Sequence, residues 1–184
     1  MTPRPHPHLR PLPSDGRPAD DEPLHLDEAF RQYSGYVATI AWRILGGDDE
    51  VDDVVQDVFL GALRGLRRLR EPGAVKGWLA TVTVREASRR LRRRRVRRFL
   101  GLDDMAAASE PRAPGASPEQ RALLASVYRA LDDLPVGERV AWTLRILEGH
   151  DLGDVATLCG CSLATVKRRV AAAQQALERR FEHD

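Results

Sequence analysis

Residues 151–177 read DLGDVATLCGCSLATVKRRVAAAQQAL and predict two helices joined by a tight turn. Asp151 is a suitable N-cap for the first helix, and Asp154 stands at the spacing of a capping box. Gly160 supplies the turn, where a positive φ is often needed, and Ser162 caps the second helix. This is the pattern of a helix-turn-helix, whose second helix places its early polar residues in the DNA major groove.

The second helix of this motif is basic close to its start. Leu163, Val166 and Val170 recur at helical spacing and are expected to face the core. Three consecutive basic residues, 167–169, are then left for a partner. Arginine can pair with the O6 and N7 atoms of guanine, and lysine can meet phosphate. An αα-hairpin with an ordinary basic surface stays open as the alternative, because the pattern alone is only moderately specific.

The rest of the chain repeats the helical pattern and shows no strand alternation. Residues 1–25 hold seven prolines and predict a disordered arm. Apolar residues at spacings of three and four predict helices within 26–100 and again within 119–184. Residues 101–118 contain three prolines and no periodicity, as expected of a linker. The sequence therefore predicts an all-α fold with two helical domains joined by a flexible linker.

The net charge of +2 hides a strong segregation of charge along the chain. Six acids and no base lie between 48 and 57, whereas 61–100 carries 13 arginines and one lysine against two glutamates. Eight of these arginines fall within 89–98, where they repel one another unless anions neutralise them. An acidic segment followed by a basic one predicts two partners of opposite charge. Solvated helix faces are the alternative.

Composition excludes several classes of protein. Of the 184 residues, 42% are hydrophobic and 30% are charged, which is ordinary for a globular chain. No apolar run approaches the roughly 18–20 residues that span a bilayer, and the N-terminus lacks the apolar core of a signal peptide. A bridge between Cys159 and Cys161 would be strained, and the histidines complete no metal-binding pattern. We therefore expect a reduced, cytoplasmic protein without a metal or other cofactor.

In its segments and their order, the chain resembles the extracytoplasmic-function sigma factors of bacterial RNA polymerase. The matching segments are FRQYSGYVATIAWRILGG (30–47), DDVVQDVFLGALRGL (52–66), GWLATVTVREASRRLRRRR (77–95) and LDDLPVGERVAWTLRILEGHDLGDVATLCGCSLATVKRRV (131–170). They combine an acidic D-x-x-Q-D helix, a tryptophan helix that runs into arginines, an L-P-x-x-x-R segment and a terminal helix-turn-helix. Together these parts are far more specific than any one of them.

The resemblance implies a function without catalysis. A sigma factor binds core RNA polymerase, reads the two promoter elements called −35 and −10, and helps to open the DNA. Sigma region 2 and sigma region 4 would then correspond to the two predicted helical domains, at 26–100 and 119–184. An anti-sigma factor is a further partner that the resemblance suggests, and a cofactor is not expected.

The resemblance also assigns roles to individual residues. The acidic helix matches the segment that docks on the clamp coiled coil of the largest polymerase subunit, through Asp53, Gln56 and Asp57. The residues expected at the −10 element are basic or aromatic: Arg70, Lys76, Trp78, Arg85, Arg89, Arg92 and Arg93. Those expected at the −35 element begin the second helix of the helix-turn-helix: Ser162, Thr165, Lys167, Arg168 and Arg169.

The three basic residues expected at the −35 element should differ in their contacts, because successive residues of a helix lie about 100° apart. Arg168 lies farthest from the buried stripe and is the best candidate for a base edge. Lys167 is a point charge suited to phosphate. Arg169 is expected to lean toward the DNA backbone.

The chain departs from the family pattern near the −10 element. Members often carry an aromatic residue where this chain has Ala80, and an asparagine where it has Arg85. Because aromatic side chains stack on unpaired bases, we expect −10 recognition to differ in detail. After the −35 residues, 171–174 read AAAQ where the family usually continues with basic residues, which predicts weaker contacts to the DNA backbone.

Two other functions stay open at this point. A DNA-binding regulator that never joins the polymerase explains the helix-turn-helix and the arginines but leaves the acidic helix without a role. A metal-dependent nuclease or phosphohydrolase would use Asp48, Asp49, Asp52, Asp53 and Asp57. Such a site needs carboxylates that converge on one or two metal ions, whereas acids along one helix spread over several faces.

Overall fold

The computed structural model describes residues 26–65, 74–102 and 117–182, and every regular element in these ranges is helical. The elements are α1 (Leu26–Leu45), α2 (Val51–Gly65), α3 (Ala74–Phe99), α4 (Pro118–Asp132), α5 (Val136–Trp142), a π-helical turn (Thr143–Leu147), α6 (Leu152–Cys159) and α7 (Leu163–Phe181). The predicted all-α fold is confirmed. The expected N-terminal arm, most of the expected linker and Arg70 lie outside the described residues.

Local sequence signals mark the helix ends, including those predicted at Asp151, Gly160 and Ser162. Gly46 follows the last turn of α1 with a φ of +77°, a conformation that favours glycine. Asp151 accepts a hydrogen bond from the Asp154 backbone N–H at the start of α6. Gly160 takes the left-handed conformation between α6 and α7, and Ser162 accepts from a backbone N–H of α7. The predicted helix-turn-helix is thus present.

The first three helices form a bundle with an apolar interior. Val37, Ile40 and Ile44 of α1 pack with Val54 of α2, and all four side chains are almost completely buried. Phe30 lies at helical spacing with these residues of α1, but 46% of its surface is exposed. Its ring packs edge-on against the buried ring of Phe59 of α2, at the margin of the bundle.

The two helical halves of the chain share this core. Helix α3 contacts α1 and α2 on one side and α5 and α6 on another. Six residues of the C-terminal half belong to the same apolar cluster as the N-terminal bundle: Val140, Ala141, Leu144, Val155, Leu158 and Val166. A second, smaller cluster lies between α4, α5 and α7. The halves therefore contact each other through apolar side chains, besides being linked by the chain.

A buried arginine joins the two halves by hydrogen bonds. Arg139 of α5 is only 2% exposed. Its Nε donates to the Ile44 carbonyl at 3.0 Å and its Nη2 to the Leu45 carbonyl at 2.9 Å. These carbonyls end α1 and have no partner within that helix. The third nitrogen, Nη1, pairs with Asp132. Desolvation is the main effect on the Arg139 pKa and lowers it.

Further polar contacts cross the same interface. Arg43 donates to the Leu147 carbonyl at 3.1 Å and lies 2.6 Å from the buried carboxylate of Glu148. The Tyr128 hydroxyl donates to the Arg43 carbonyl at 3.1 Å. Burial raises the pKa of Tyr128 to about 12, because the ionised phenol would lose its hydration. Arg95 donates to the Leu134 carbonyl at 3.0 Å.

Replacement of the buried guanidinium should be strongly destabilising. We expect Arg139→Gln to lower the free energy of unfolding by about 3–5 kcal/mol, because Asp132 and two helix-end carbonyls would lose a buried charged donor. Urea denaturation followed by circular dichroism measures this change. The matched control is Arg129→Gln, on the exposed surface of α4, which should change stability by less than about 0.5 kcal/mol. Equal midpoints for the two variants would contradict the structural role of Arg139.

The raised pKa of Tyr128 predicts a loss of stability at high pH. Below pH 10 the phenol is neutral in both states. Between pH 10 and about 12 it ionises in the unfolded chain but not in the folded one, so stability falls by up to about 1.4 kcal/mol per pH unit. Urea denaturation from pH 8 to 11 should show this fall, and Tyr128→Phe should make it smaller. A parallel pH dependence in the variant would contradict the prediction.

Candidate polymerase and nucleic-acid interfaces

Helix α2 presents an acidic face to solvent. Its apolar residues point into the bundle, which turns Asp53, Gln56 and Asp57 outward at spacings of three and four residues. The Asp53 side chain is 67% exposed and that of Asp57 is 38% exposed. The three residues expected to contact the polymerase therefore lie together on one accessible surface, which we call the acidic face.

The acidic face continues into two exposed leucines that sequence reasoning missed. Leu60 is 54% exposed and Leu63 is 50% exposed. They follow Asp53 and Gln56 at heptad spacing, so all four lie along one stripe of α2. Apolar residues at helical spacing are usually taken as core. The signal that could have found these two is their register, which matches the acids and not the buried valines.

The acids of α2 are paired with arginines of α3. Asp57 Oδ2 accepts from Arg90 Nη2 at 2.6 Å and from Arg89 Nη2 at 3.3 Å. Arg90 Nη1 also lies 3.8 Å from Asp53 Oδ2. Arg94 Nε lies 3.3 Å from Oε1 of Glu50, the residue just before α2. Opposite charges that are separate in sequence thus meet between α2 and α3. Part of the arginine run neutralises acids inside the fold and is not simply displayed to a partner.

The outer side of α3 forms a basic stripe. Five of the residues expected at the −10 element fall within an arc of about 100° on this helix: Trp78, Arg85, Arg89, Arg92 and Arg93. The four arginines are exposed. Most of the remaining circumference is buried against the other helices. Lys76, at the start of α3, lies apart from the stripe with its ammonium 4.8 Å from the centre of the Tyr36 ring.

Trp78 is half-buried and packs on the end of α2. Its indole touches Gly65 so closely that any Cβ at that position would collide with the ring. The same side chain packs against the apolar cluster of the bundle. Trp78 therefore has a structural contact on one side and solvent on the other. Ala80, where the family often has an aromatic residue, is only 1% exposed.

The start of α7 is organised by its capping residues. Ser162 Oγ accepts from the Thr165 backbone N–H at 3.2 Å, and the two side-chain hydroxyls lie 2.9 Å apart. Lys167 and Arg168 are exposed one turn further along. The motif thus holds its basic residues on a helix whose first turn is fixed by hydrogen bonds.

The third basic residue of α7 is held within the domain. Arg169 is half-buried and lies against Gly137 of α5, where a Cβ would stand 3.0 Å from its guanidinium carbon. Its Nη1 also donates to Cys161 Sγ at 3.5 Å. Arg169 was expected to lean toward the DNA backbone, and the structure gives it these internal contacts.

The buried stripe of α7 differs from the predicted one. Val166, Ala173 and Leu177 are buried, with Val170 partly buried beside them. Leu163 was expected in this stripe, but it is 46% exposed, so that expectation was wrong. Leu163 is the first residue of α7, and its side chain lies on the surface one turn before Val166.

The two cysteines are unpaired thiols that pack beside the core. Both are half-buried and contact the larger apolar cluster. Desolvation raises the pKa of Cys159 to about 11, which keeps the thiol protonated at neutral pH. Among the residues that the structure describes, no three His, Cys, Asp or Glu side chains form a group that could hold a metal ion. None of the described helices is long and apolar enough to cross a membrane.

Family models match both halves of the chain. Residues 29–97 match sigma-70 region 2, and residues 124–177 match sigma-70 region 4. The first match contains the acidic face of α2 and the basic stripe of α3. The second contains the helix-turn-helix.

Curated relatives are sigma factors of one class. The chain is 31% identical to the ECF RNA polymerase sigma factor EcfG of Rhodopseudomonas palustris, over 74% of each protein. It is 29% identical to the ECF RNA polymerase sigma-E factor of Escherichia coli, over 82% of this chain and 83% of the relative. It is also 30% identical to the ECF RNA polymerase sigma factor SigE of Mycolicibacterium smegmatis, of which it spans 59%.

Solved structures share the fold. The sigma factor RpoE of Bartonella quintana, in complex with the anti-sigma factor NepR, superposes with a TM-score of 0.63 at 24% identity, over 86% of this chain and 97% of that one. CnrH, in complex with the cytosolic domain of CnrY, gives a TM-score of 0.58 at 25% identity, over 86% and 88%. With both sigma regions present in order, the chain belongs to the ECF sigma factors of RNA polymerase.

Proposed function

We propose that this ECF sigma factor binds core RNA polymerase through α2 and directs it to promoters through α3 and α7. The observation that carries the proposal is the presence, on one fold, of an exposed acidic face, an exposed basic stripe and a capped helix-turn-helix. Each is a surface for a different macromolecule. The protein contributes recognition, and the polymerase performs the chemistry in the bacterial cytoplasm.

The acidic face suits a basic, helical partner. Asp53, Gln56 and Asp57 supply acceptors for cationic side chains, and the exposed Leu60 and Leu63 supply apolar contact area beside them. Polar recognition next to apolar burial is the usual composition of a protein interface. The partner that we assign to this face is the clamp coiled coil of the largest polymerase subunit.

The basic stripe of α3 suits the −10 element. Arg85, Arg92 and Arg93 are exposed and have room to contact phosphates, which supplies affinity that depends on salt but not on sequence. Trp78 lies on the same stripe with one side of its indole accessible. We assign it a contact with the DNA at the point where the strands separate, because aromatic rings stack on unpaired bases.

The helix-turn-helix suits the −35 element. Arg168 and Lys167 are exposed near the start of α7, where a recognition helix meets the major groove. Arg169 is assigned to the support of this helix through its contacts with Gly137 and Cys161. Ser162 and Thr165 keep their capping role and can add contacts to the DNA backbone.

This function requires the two halves to separate. The −35 and −10 elements lie about 25 base pairs apart, or about 85 Å along B-form DNA at 3.4 Å per base pair. In the present arrangement α7 packs on α6, and α6 packs on α3, so the two DNA-reading helices are separated by about two helix layers of 10 Å. We infer that the polymerase holds the halves apart. The complex of the similar sigma factor RpoE with the anti-sigma factor NepR supports an anti-sigma factor as a third partner.

The docking assignment predicts the effect of reversing one charge. We expect Asp53→Arg to lower the affinity for core RNA polymerase by about 2–5 kcal/mol, because it places a cation against basic residues of the clamp. Glu28→Arg is the matched control, since it reverses an exposed acidic charge in the first turn of α1, outside α2. Titration of labelled protein with core polymerase measures both affinities. Equal losses for the two variants, with folding intact, would refute the assignment and favour a regulator that acts without the polymerase.

The −35 assignment predicts different effects for neighbouring residues. Arg168→Ala should cost about 1–3 kcal/mol on the preferred sequence and relax selection at one base position. Lys167→Ala should weaken binding to all sequences alike and reduce the salt slope by about one. Binding of holoenzyme to a randomised −35 library at two salt concentrations measures both. The orientation assigned to α7 is wrong if the two variants exchange these effects.

A further inference from the structure

One arginine lies between the acidic face of α2 and the basic stripe of α3. Arg89 belongs to the stripe, and its side chain is 45% exposed. Its Nη2 donates to Asp57 Oδ2 at 3.3 Å and lies 2.6 Å from Glu86 Oε2. Asp57 in turn belongs to the acidic face. The two proposed interfaces are therefore connected by a direct bond between Asp57 and Arg89.

Arg89 and its neighbour Arg90 differ in how accessible their side chains are. Arg90 also donates to Asp57 Oδ2, at 2.6 Å, but its side chain is only 13% exposed and points between α2 and α3. Arg90 therefore stays between the helices, next to Asp53 and Asp57, and out of reach of an external phosphate. Arg89 is the member of the pair that solvent, and hence a DNA phosphate, can reach. Only the Asp57–Arg89 bond can be exchanged for bonds to two external partners.

We propose that Asp57 withholds Arg89 from DNA in the free protein and releases it when the polymerase occupies Asp57. This inference rests on the proposed function of both surfaces. A guanidinium held by two carboxylates has little net charge to offer a phosphate. When a cation of the clamp takes over Asp57, Arg89 is left with Glu86 alone and can turn outward along the stripe.

The exchange couples the two binding events. Because the Asp57–Arg89 bond must break for either residue to make its full external contact, each partner favours the binding of the other, and the coupling is reciprocal. An exposed ion pair is weak, so the coupling is about two- to five-fold in affinity. This effect biases the sigma factor toward DNA only after it has joined the polymerase.

The test measures DNA binding by the full-length free protein. The probe is a fluorescein-labelled DNA duplex of arbitrary sequence, titrated between about 50 and 150 mM salt, where phosphate contacts dominate. Asp57→Asn keeps the size of the side chain but removes the charge that holds Arg89. We expect it to raise DNA affinity about two- to five-fold at the lower salt concentration and to steepen the salt slope by about one.

Two controls separate release of Arg89 from a general change in charge. Asp52→Asn removes the same charge from an exposed position of α2 that does not contact Arg89, and it should raise affinity less. In an Arg89→Gln background, Asp57→Asn should give no more gain than Asp52→Asn. Equal gains from Asp57→Asn and Asp52→Asn, or a gain that persists in the Arg89→Gln background, would overturn the proposal.

Two further variants cover the case in which Asp57→Asn does not fold and test the DNA surface itself. If Asp57→Asn unfolds the protein, Glu86→Gln replaces it, because it frees Arg89 from its other carboxylate and should produce a gain in the same direction. Arg92→Gln, on the stripe but without a contact to Asp57, tests the proposed DNA surface itself. Unchanged DNA affinity of Arg92→Gln would refute the stripe. A loss in that variant, with no gain from either carboxylate variant, would refute the coupling alone.

Discussion

The arrangement of the two halves depends on one buried guanidinium. Arg139 is bonded to the last carbonyls of α1 and to Asp132, so it serves as the cap of a helix in the other half of the chain. A buried charge is tolerated only when its donors are satisfied, and the acceptors here come from both halves. Separation of the halves would expose the guanidinium to water, which can replace the lost carbonyls. The same residue therefore stabilises the closed arrangement, in which the two halves are in contact, and permits an open one, in which they are apart.

Helix α3 contacts helices of both halves and carries the proposed −10 surface. Its arginines are divided by position around the helix. Some face α2 and neutralise its acids, Arg95 bonds to the C-terminal half, and the outer ones, such as Arg92 and Arg93, face solvent. A run of arginines that would repel as an isolated helix is thus accommodated by anions and carbonyls on two sides, with the third side available for phosphates.

Local features could be predicted from the sequence because they depend on neighbouring residues. The caps at Asp151 and Ser162, the left-handed Gly160 and the outward acids of α2 all follow from spacing. The docking of the halves could not be predicted, since an apolar side chain of α3 does not specify which helix will cover it. Leu163 shows the converse problem. It matches the helical period of a core but lies outside it, and only the packed structure distinguishes the two cases.

The closed arrangement leaves the individual binding surfaces open and limits only their simultaneous use. The acidic face, the outer arginines of α3 and the exposed basic residues of α7 are all accessible while the halves are in contact. What the closed form cannot do is place α3 and α7 about 85 Å apart on DNA. On the proposed function, a partner that held the halves in contact through the interface around Arg139 and Tyr128 would prevent promoter recognition without covering any DNA-binding residue. The polymerase would allow recognition by holding the halves apart.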